Sequence, residues 1–153
     1  MVTIRKPRID EVKKLQDFND DAFANNPDFD PDLVLDWAQS DLGKTYFTNV
    51  INNPKDLILV AEEDNQLVGY ISASPKVIAH RKSTYIEIDN LGIASAYRRK
   101  GIASMLMEKC LTWAKEQGYQ KAYLLCYFKN TNAIQFYKNN GFSEIDISLE
   151  KKL

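Results

Sequence analysis

An α+β domain built on one mixed sheet is the fold this chain predicts, and three observations predict it. Short runs rich in β-branched and aromatic residues alternate with longer stretches of helical apolar spacing. Two such runs, Leu57–Ala61 and Leu67–Ile71, flank Asp64-Asn65-Gln66 and read as an antiparallel hairpin. Later in the chain, strand, helix and strand follow one another directly, which adds helices to the strand meander. At 153 residues, with 44 % hydrophobic and 27 % charged residues, the chain is long enough for one well-filled core. Residues 1–153 therefore read as a single domain.

The elements follow in order. Thr3 to Arg5 is a short first strand. Ile9 to Phe23 is an amphipathic helix with Val12, Leu15, Phe18 and Ala22 on one stripe, and Asp10 and Glu11 sit in its first turn, where the helix dipole favours acids. A loop over Asn25 to Pro31 leads to a helix from about Pro31 to Gln39 and another from about Lys44 to Ile51, ended by Pro54. The hairpin comes next, extended by a strand over residues 84–93. A long helix, 101–117, stops at Gly118, which suits a left-handed terminal position. Ala122 to Tyr127 is almost wholly apolar and predicts a central strand. Asn130 caps a helix that ends at Asn140-Gly141. Ser143 to Lys151 alternates, with Ile145, Ile147 and Leu149 inward, and is expected to close the sheet.

Composition excludes several classes. The longest apolar run, Leu57 to Ala61, is far short of the about 20 residues of a membrane span. Met1 to Lys14 is charged and lacks an apolar signal core, so a cytoplasmic protein is expected. Net charge is −1, and no strand interleaves bases with aromatics, so nucleic acid is not an expected partner. Cys110 and Cys126 fall on apolar faces and read as core thiols. No Cys or His spacing suggests a metal site.

The most informative stretch joins the strand Tyr85–Ile93 to the long helix. It reads Arg98-Arg99-Lys100-Gly101-Ile102-Ala103-Ser104. A helix N-terminus offers unpaired N–H groups and about half a positive charge. Gly101 lets the backbone approach a ligand closely, and three cations deepen the field. That is a phosphate cradle. It is neither a Walker loop nor a dinucleotide-binding turn, since G-x-x-x-x-G-K-[ST] and G-x-G-x-x-G are both absent.

The pattern Arg98-x-x-Gly101-x-Ala103 resembles the pyrophosphate loop of the GNAT superfamily of N-acetyltransferases. A second block, Asn130-Thr131-Asn132-Ala133-Ile134-Gln135-Phe136-Tyr137 running on to Gly141-Phe142, is similar to that family's N-x-x-A-x-x-x-Y-x-x-x-G-F segment. One helix and one strand lie between them, as in the family, and the match covers roughly residues 84 to 149. The resemblance implies that the strands at 84–93 and 122–127 begin parallel and splay apart, leaving a slot for acetyl-CoA. It implies that the amides and side chains of Arg98, Arg99, Lys100, Gly101, Ile102, Ala103 and Ser104 hold the pyrophosphate. Leu91, Gly92 and Ile93 pair with the pantetheine arm like an added strand. A bulge near Leu91 aims an N–H at the thioester carbonyl, a kind of contact typically worth about 3 to 4 kcal/mol of barrier. Asn130 touches the cofactor in the family; on its own it reads as a helix N-cap, and both roles can coexist. Tyr137, which composition alone would place in the core, occupies the position that protonates the departing thiolate.

The attacking amine, with a pKa of about 10.4 if lysine-like, must lose a proton. Glu87 and Asp89 alternate with Ile86 and Ile88 on one side of their strand. Glu87, eleven residues before Arg98, matches the general base of the histone-acetylating branch; Asp89 and a water chain are the alternatives, and a solvated acidic strand face is the plain reading of both carboxylates. The branch acetylating ribosomal-protein N-termini places its glutamate where this chain has Leu125, which argues against that branch. His80, the only histidine, lies in a basic segment and reads as a surface residue.

The acceptor is less defined. The resemblance puts its pocket between the first two helices and the strand ends. Between Lys14 and Lys44 this chain has no Lys or Arg and eight Asp (17, 20, 21, 28, 30, 32, 36 and 41), interleaved with Phe18, Phe23, Phe29 and Trp37. Such a block attracts a cationic amine; it equally caps helices and solvates a loop. The expected activity is transfer of acetyl from acetyl-CoA to a small or peptidyl primary amine. The alternative is a module of the same fold that binds acetyl-CoA as a sensor without turnover. The resemblance is also compatible with a homodimer, which no residue here demonstrates.

Overall fold

A computed structural model describes residues 1–153. One five-stranded sheet runs in the order β1 (Thr3–Arg5), β2 (Leu57–Glu63), β3 (Gln66–Lys76), β4 (Tyr85–Ile93) and β5 (Lys121–Tyr123). The first four strands are antiparallel neighbours, and β5 runs parallel to β4. The sheet is mixed, as the order of elements implies. Asp64 and Asn65 both take positive φ, 51° and 62°. Two left-handed residues make the hairpin turn whose twist matches the strands, and Asx side chains tolerate that conformation. The turn starts the β2–β3 register at Glu63 and Gln66.

Four helices flank the sheet: α1 (Val12–Ala22), α2 (Asp41–Asn52), α3 (Ile102–Glu116) and α4 (Thr131–Asn139). Leu15 and Phe18 of α1, Phe47 and Val50 of α2, and Ile58, Val60 and Tyr70 of the sheet form one buried cluster. Leu106, Met107 and Cys110 of α3 pack with Ile71, Ala73, Ile86 and Ile88 in a second, against which Phe136 and Tyr137 of α4 rest. The helices thus cover two faces of one sheet, and each fully buried Leu or Phe contributes about 1.5–3 kcal/mol. Beside the first cluster, Glu11 is 2 % exposed and receives both Arg5 guanidinium nitrogens at 2.8 Å and the Arg8 N–H at 2.8 Å. The Arg5 hydrogen bonds hold its carboxyl down at about 2.

The structure corrects several expectations. No α-helix forms over Pro31–Gln39; Asp30 accepts the Asp32 N–H at 3.0 Å, and only Trp37–Gln39 coils, as a 3-10 turn. A short acidic side chain bonding its own backbone competes with the helix. Ser40 then caps α2, accepting the Gly43 N–H at 3.3 Å, so that helix starts at Asp41 rather than Lys44. The run Ala122–Tyr127 is not a central strand. β5 lies at the sheet edge and meets β4 only through Tyr85–Lys121, Ile86–Ala122 and Glu87–Tyr123. Past Tyr123 the two segments part, so residues 124–127 have no ladder to join. Of the two expected core thiols, Cys110 is buried and Cys126 is half-exposed. Ser143–Lys151 does not close the sheet; it joins no strand and takes part in no hydrogen bond between backbone groups.

Candidate functional site

The parting of β4 and β5 creates the slot. From Ile88 to Ile93, β4 keeps β3 on one edge and has no strand on the other. Leu91, Gly92 and Ile93 pair regularly with Ile71, Tyr70 and Gly69, leaving their outward edge free. Gly92 is also where α1 comes nearest: a Cβ there would lie 3.2 Å from Ala22 Cβ and from the Phe23 ring. The bulge expected near Leu91 is two residues earlier. Ser72 pairs with Asn90 and Ala73 with Ile88, so Asp89 is the extra residue.

At the mouth of the slot the chain makes a 3-10 turn, Ser95–Tyr97, and enters α3 through Arg99 (φ 62°) and Gly101 (φ 80°). Gly101 precedes the first helical residue and supplies no side-chain cap. None of the amides from Arg99 to Ser104 has an acceptor in the chain. Nothing stands within 4 Å of a Cβ built on Gly101, so the nest is open. Ile102, 2 % exposed, anchors the helix in the core while its N–H stays in the nest. Ala103 and Ser104 complete the first turn.

The three cations divide. Arg98 turns inward and donates to the carbonyls of Ala22 at 3.0 Å and Ile93 at 3.2 Å. Lys100 lies 4.6 Å over the Tyr97 ring. Arg99 is exposed and engages neither. Across the slot, Asn130 accepts the Ala133 N–H at 3.2 Å and caps α4. Tyr137, one helix face along, packs edge-on to Phe136 and Phe142. Burial pushes its phenol up to about 12, with the nearby Cys126 adding to the rise. Its hydroxyl is bonded to nothing else in the chain.

Glu87 and Asp89 have different surroundings. Glu87 sits in the last β4–β5 pair, where the strands are still joined, and its carboxylate meets Lys76 Nζ at 3.0 Å. Asp89 stands on the bulge, at the open part of the slot. Its carboxylate accepts from Ser74 Oγ at 3.0 and 3.1 Å and from Tyr46 OH at 3.3 Å. Lost hydration raises it to about 6, and the negative charge of Glu87 adds to that. Tyr46 OH also meets Ser72 Oγ at 2.8 Å and receives Asn90 Nδ2 at 3.1 Å.

Asn90 carries this network to a cavity of about 520 Å³. Its walls come from the end of α1 (Asn19, Asp20, Phe23), the loop before α2 (Leu33, Val34, Leu35, Trp37), and Tyr127 beyond β5. Phe29 stacks on Tyr127 at 5.9 Å. Of the eight aspartates between Lys14 and Lys44, only Asp20 lines the cavity; Asp17 pairs with Lys13 at 2.7 Å, and Asp30 holds its turn. Asn90 and Tyr127 carried no sequence signal of their own. Only the folded positions of the bulge and of the parted strand bring them to the cavity.

Comparison with known proteins agrees with this architecture. The Acetyltransferase (GNAT) family profile matches residues 15–142. An uncharacterized N-acetyltransferase of Mycobacterium bovis is 27 % identical over 112 residues, 73 % of this chain and 69 % of that protein. The structure of PaiA N-acetyltransferase from Thermoplasma acidophilum in complex with coenzyme A superposes with a TM-score of 0.81 at 23 % identity, over 97 % of this chain and 93 % of that one. An aminoglycoside N-acetyltransferase in complex with CoA gives 0.77 at 15 % identity, over 100 % and 95 %. These two likenesses concern the fold.

Proposed function

The chain belongs to the GNAT acetyltransferase family and is an N-acetyltransferase, and from that premise we propose that it transfers the acetyl group of acetyl-CoA to the primary amine of a small cationic acceptor. The observation that carries the donor is the row of free amides from Arg99 to Ser104, opening on the gap between β4 and β5. A pyrophosphate satisfies those amides and meets the positive end of α3. Arg99 and Lys100 add charge at the rim. The free edge of Leu91–Ile93 suits the amides of the pantetheine arm.

Acetyl-CoA supplies an activated acetyl thioester; the protein's residues position it and manage protons. A phenol at about 12 keeps its proton across the physiological range. A thiol of pKa about 8.5 is the stronger acid. Tyr137 therefore stabilises the departing sulfur as a hydrogen-bond donor rather than by giving up its proton outright. Asp89, at about 6, is ionised at neutral pH yet more basic than an ordinary carboxylate. It is better placed than Glu87 to accept the proton shed by the attacking nitrogen, because Glu87 is engaged by Lys76 at the closed end of the slot. The Glu87 charge serves to keep Asp89 basic. Asp20, Trp37 and Tyr127 give the cavity one carboxylate among aromatic walls, a setting for an ammonium group. Aminoglycoside acetyltransferases among the structural neighbours act on amines of that charge class.

The test is release of CoA from acetyl-CoA in the presence of a panel of polyamines, aminoglycosides and lysine peptides. Acceleration by at least one cationic small amine is expected. Tight acetyl-CoA binding with no acceleration by any amine would favour the sensor reading.

A further inference from the structure

We propose that Asn90 orients the attacking nitrogen: its side-chain carbonyl oxygen, Oδ1, accepts one N–H of the acceptor amine and presents that nitrogen to Asp89. The proposal rests on the reading of the 520 Å³ cavity as the acceptor site and of Asp89 as the base. It begins with a departure from strand geometry. Successive residues of a regular strand point to opposite faces. Asp89 and Asn90 are successive, yet one hydroxyl touches both: Tyr46 OH lies 3.3 Å from Asp89 Oδ2 and 3.1 Å from Asn90 Nδ2. The extra residue in β4 turns the two to one side, since Ser72 pairs with Asn90 while Ala73 already pairs with Ile88.

Proton counting fixes which end of the Asn90 amide faces inward. An ionised carboxylate only accepts hydrogen bonds. Tyr46 has a single hydroxyl proton, and Asp89 takes it. The Tyr46 oxygen is then an acceptor, and Ser72 Oγ, 2.8 Å away, donates to it. Both hydroxyl oxygens therefore need a donor from Asn90. Nδ2 supplies it, at 3.1 Å from Tyr46 and 3.3 Å from Ser72. Oδ1 is left with no partner in the chain. Of Tyr46, Ser72, Ser74, Asp89 and Asn90, only Asn90 lines the cavity. An amine entering there meets a carbonyl held by its own amide nitrogen, one residue from the carboxylate.

The three hydrogens of a primary ammonium then have separate fates. One proton goes to Asp89 and leaves a lone pair on nitrogen. That pair forms the N–C bond to the thioester carbonyl as the C–S bond breaks. A second proton leaves the nitrogen and ends on the CoA sulfur. The third hydrogen stays in the product amide, and it is the one that Oδ1 holds. A secondary amine has no third hydrogen, so the one held must also be the one lost. Asn90 thus favours primary over secondary amines.

The test compares CoA release for two acceptors. One is the amine turned over fastest among polyamines, aminoglycosides and lysine peptides; the other is the same amine methylated at the acetylated nitrogen. Asn90→Leu, similar in volume but without the carbonyl, should keep the thermal shift by acetyl-CoA. It should lower kcat/KM for the primary amine about 10-fold, the scale of one hydrogen bond, and affect the methylated amine much less. Tyr46→Phe keeps the carbonyl but releases the amide that aims it, so it should narrow the same preference by a smaller factor. Should Asn90→Leu lose the acetyl-CoA shift, Tyr46→Phe decides alone. A preference for the primary amine that stays unchanged, with or without a general loss of rate, would overturn the proposal and leave the acceptor reading standing. No turnover of any amine by the unaltered protein would remove that reading, and this proposal with it.

Discussion

Arg98 fastens the loop before α3 to the end of α1, its Nη2 donating to the Ala22 carbonyl at 3.0 Å while its Nε donates to Ile93 at 3.2 Å. A cation at the last carbonyls of a helix is favoured by the dipole. The same clamp holds α1 against Gly92, where an added Cβ would lie 3.2 Å from the Ala22 side chain and the Phe23 ring. Arg98 thus positions the nest, and Arg99 is left exposed beside it with no partner of its own.

That division makes two arginine variants differ. Arg98→Ala should lower stability by about 1–2 kcal/mol, the worth of charged hydrogen bonds at a partly exposed site. It should also weaken acetyl-CoA binding through loss of loop order. Arg99→Ala should leave the melting temperature within a degree or so but weaken binding in a manner that fades at high salt. Thermal melts and titrations at two ionic strengths check both.

Gly101 is fixed by its backbone rather than by crowding. At φ 80° any L-residue is strained by roughly 1–2 kcal/mol, and the space around it is open. Gly101→Ala should therefore cost about that much stability and retain weak binding. Gly101→Glu should remove the thermal shift by acetyl-CoA, which at 100 times the dissociation constant is about 2.7 kcal/mol in the unaltered protein.

The two strand carboxylates should separate in a pH profile. The proposed base, Asp89, can accept a proton only when ionised, and its value is about 6. The rate should accordingly be full above that pH and fall as pH drops through 6. Asp89→Asn should lower kcat/KM by about 100-fold, within the range of general-base effects, and erase that limb. Glu87→Gln should keep the limb but move it to lower pH, because a neighbouring negative charge has gone. A limb unmoved in Asp89→Asn would assign the base elsewhere.

Tyr137→Phe should bind acetyl-CoA as tightly as before and turn over about 10- to 100-fold more slowly, the scale of one lost hydrogen bond to a charged leaving group. Single-turnover kinetics with saturating donor isolates that step.

Acid stability should follow Glu11. Its carboxyl lies at about 2 in the fold, against 4.5 as its ordinary value. A depressed carboxylate stabilises the protein fully above its unfolded value and loses that contribution as pH falls through the folded one. Stability should therefore decline between about pH 4.5 and 2. Glu11→Gln, which leaves Arg5 partly buried without its closest acid, should cost about 3 kcal/mol at neutral pH and flatten that decline. Denaturant melts across pH measure both.

Much of this fold was legible in local chemistry. The stripe of Val12, Leu15, Phe18 and Ala22 specified α1, and the polar Asp64-Asn65 pair specified the hairpin. The cradle was legible because cations, a glycine and a helix start are contiguous in the chain. What stayed hidden depends on partners distant in sequence. A bulge at Asp89 has no sequence mark, since it arises from the β3 register; strand alternation put Glu87 and Asp89 on one side, and the resemblance pointed to Glu87. The apolar Leu124–Tyr127 segment read as buried because its composition cannot report that β4 has already turned away. The alternation of Ser143–Lys151 gave the capacity to pair without naming a partner. The Asp30 turn defeated the helix after Pro31 by a side-chain hydrogen bond that apolar periodicity does not register.

Amide hydrogen exchange with and without acetyl-CoA tests the central claim most directly. The amides from Arg99 to Ser104, unbonded in the chain, should exchange rapidly in the free protein and become strongly protected on binding, together with Leu91–Ile93. Unchanged exchange across both segments at saturating acetyl-CoA would contradict the account.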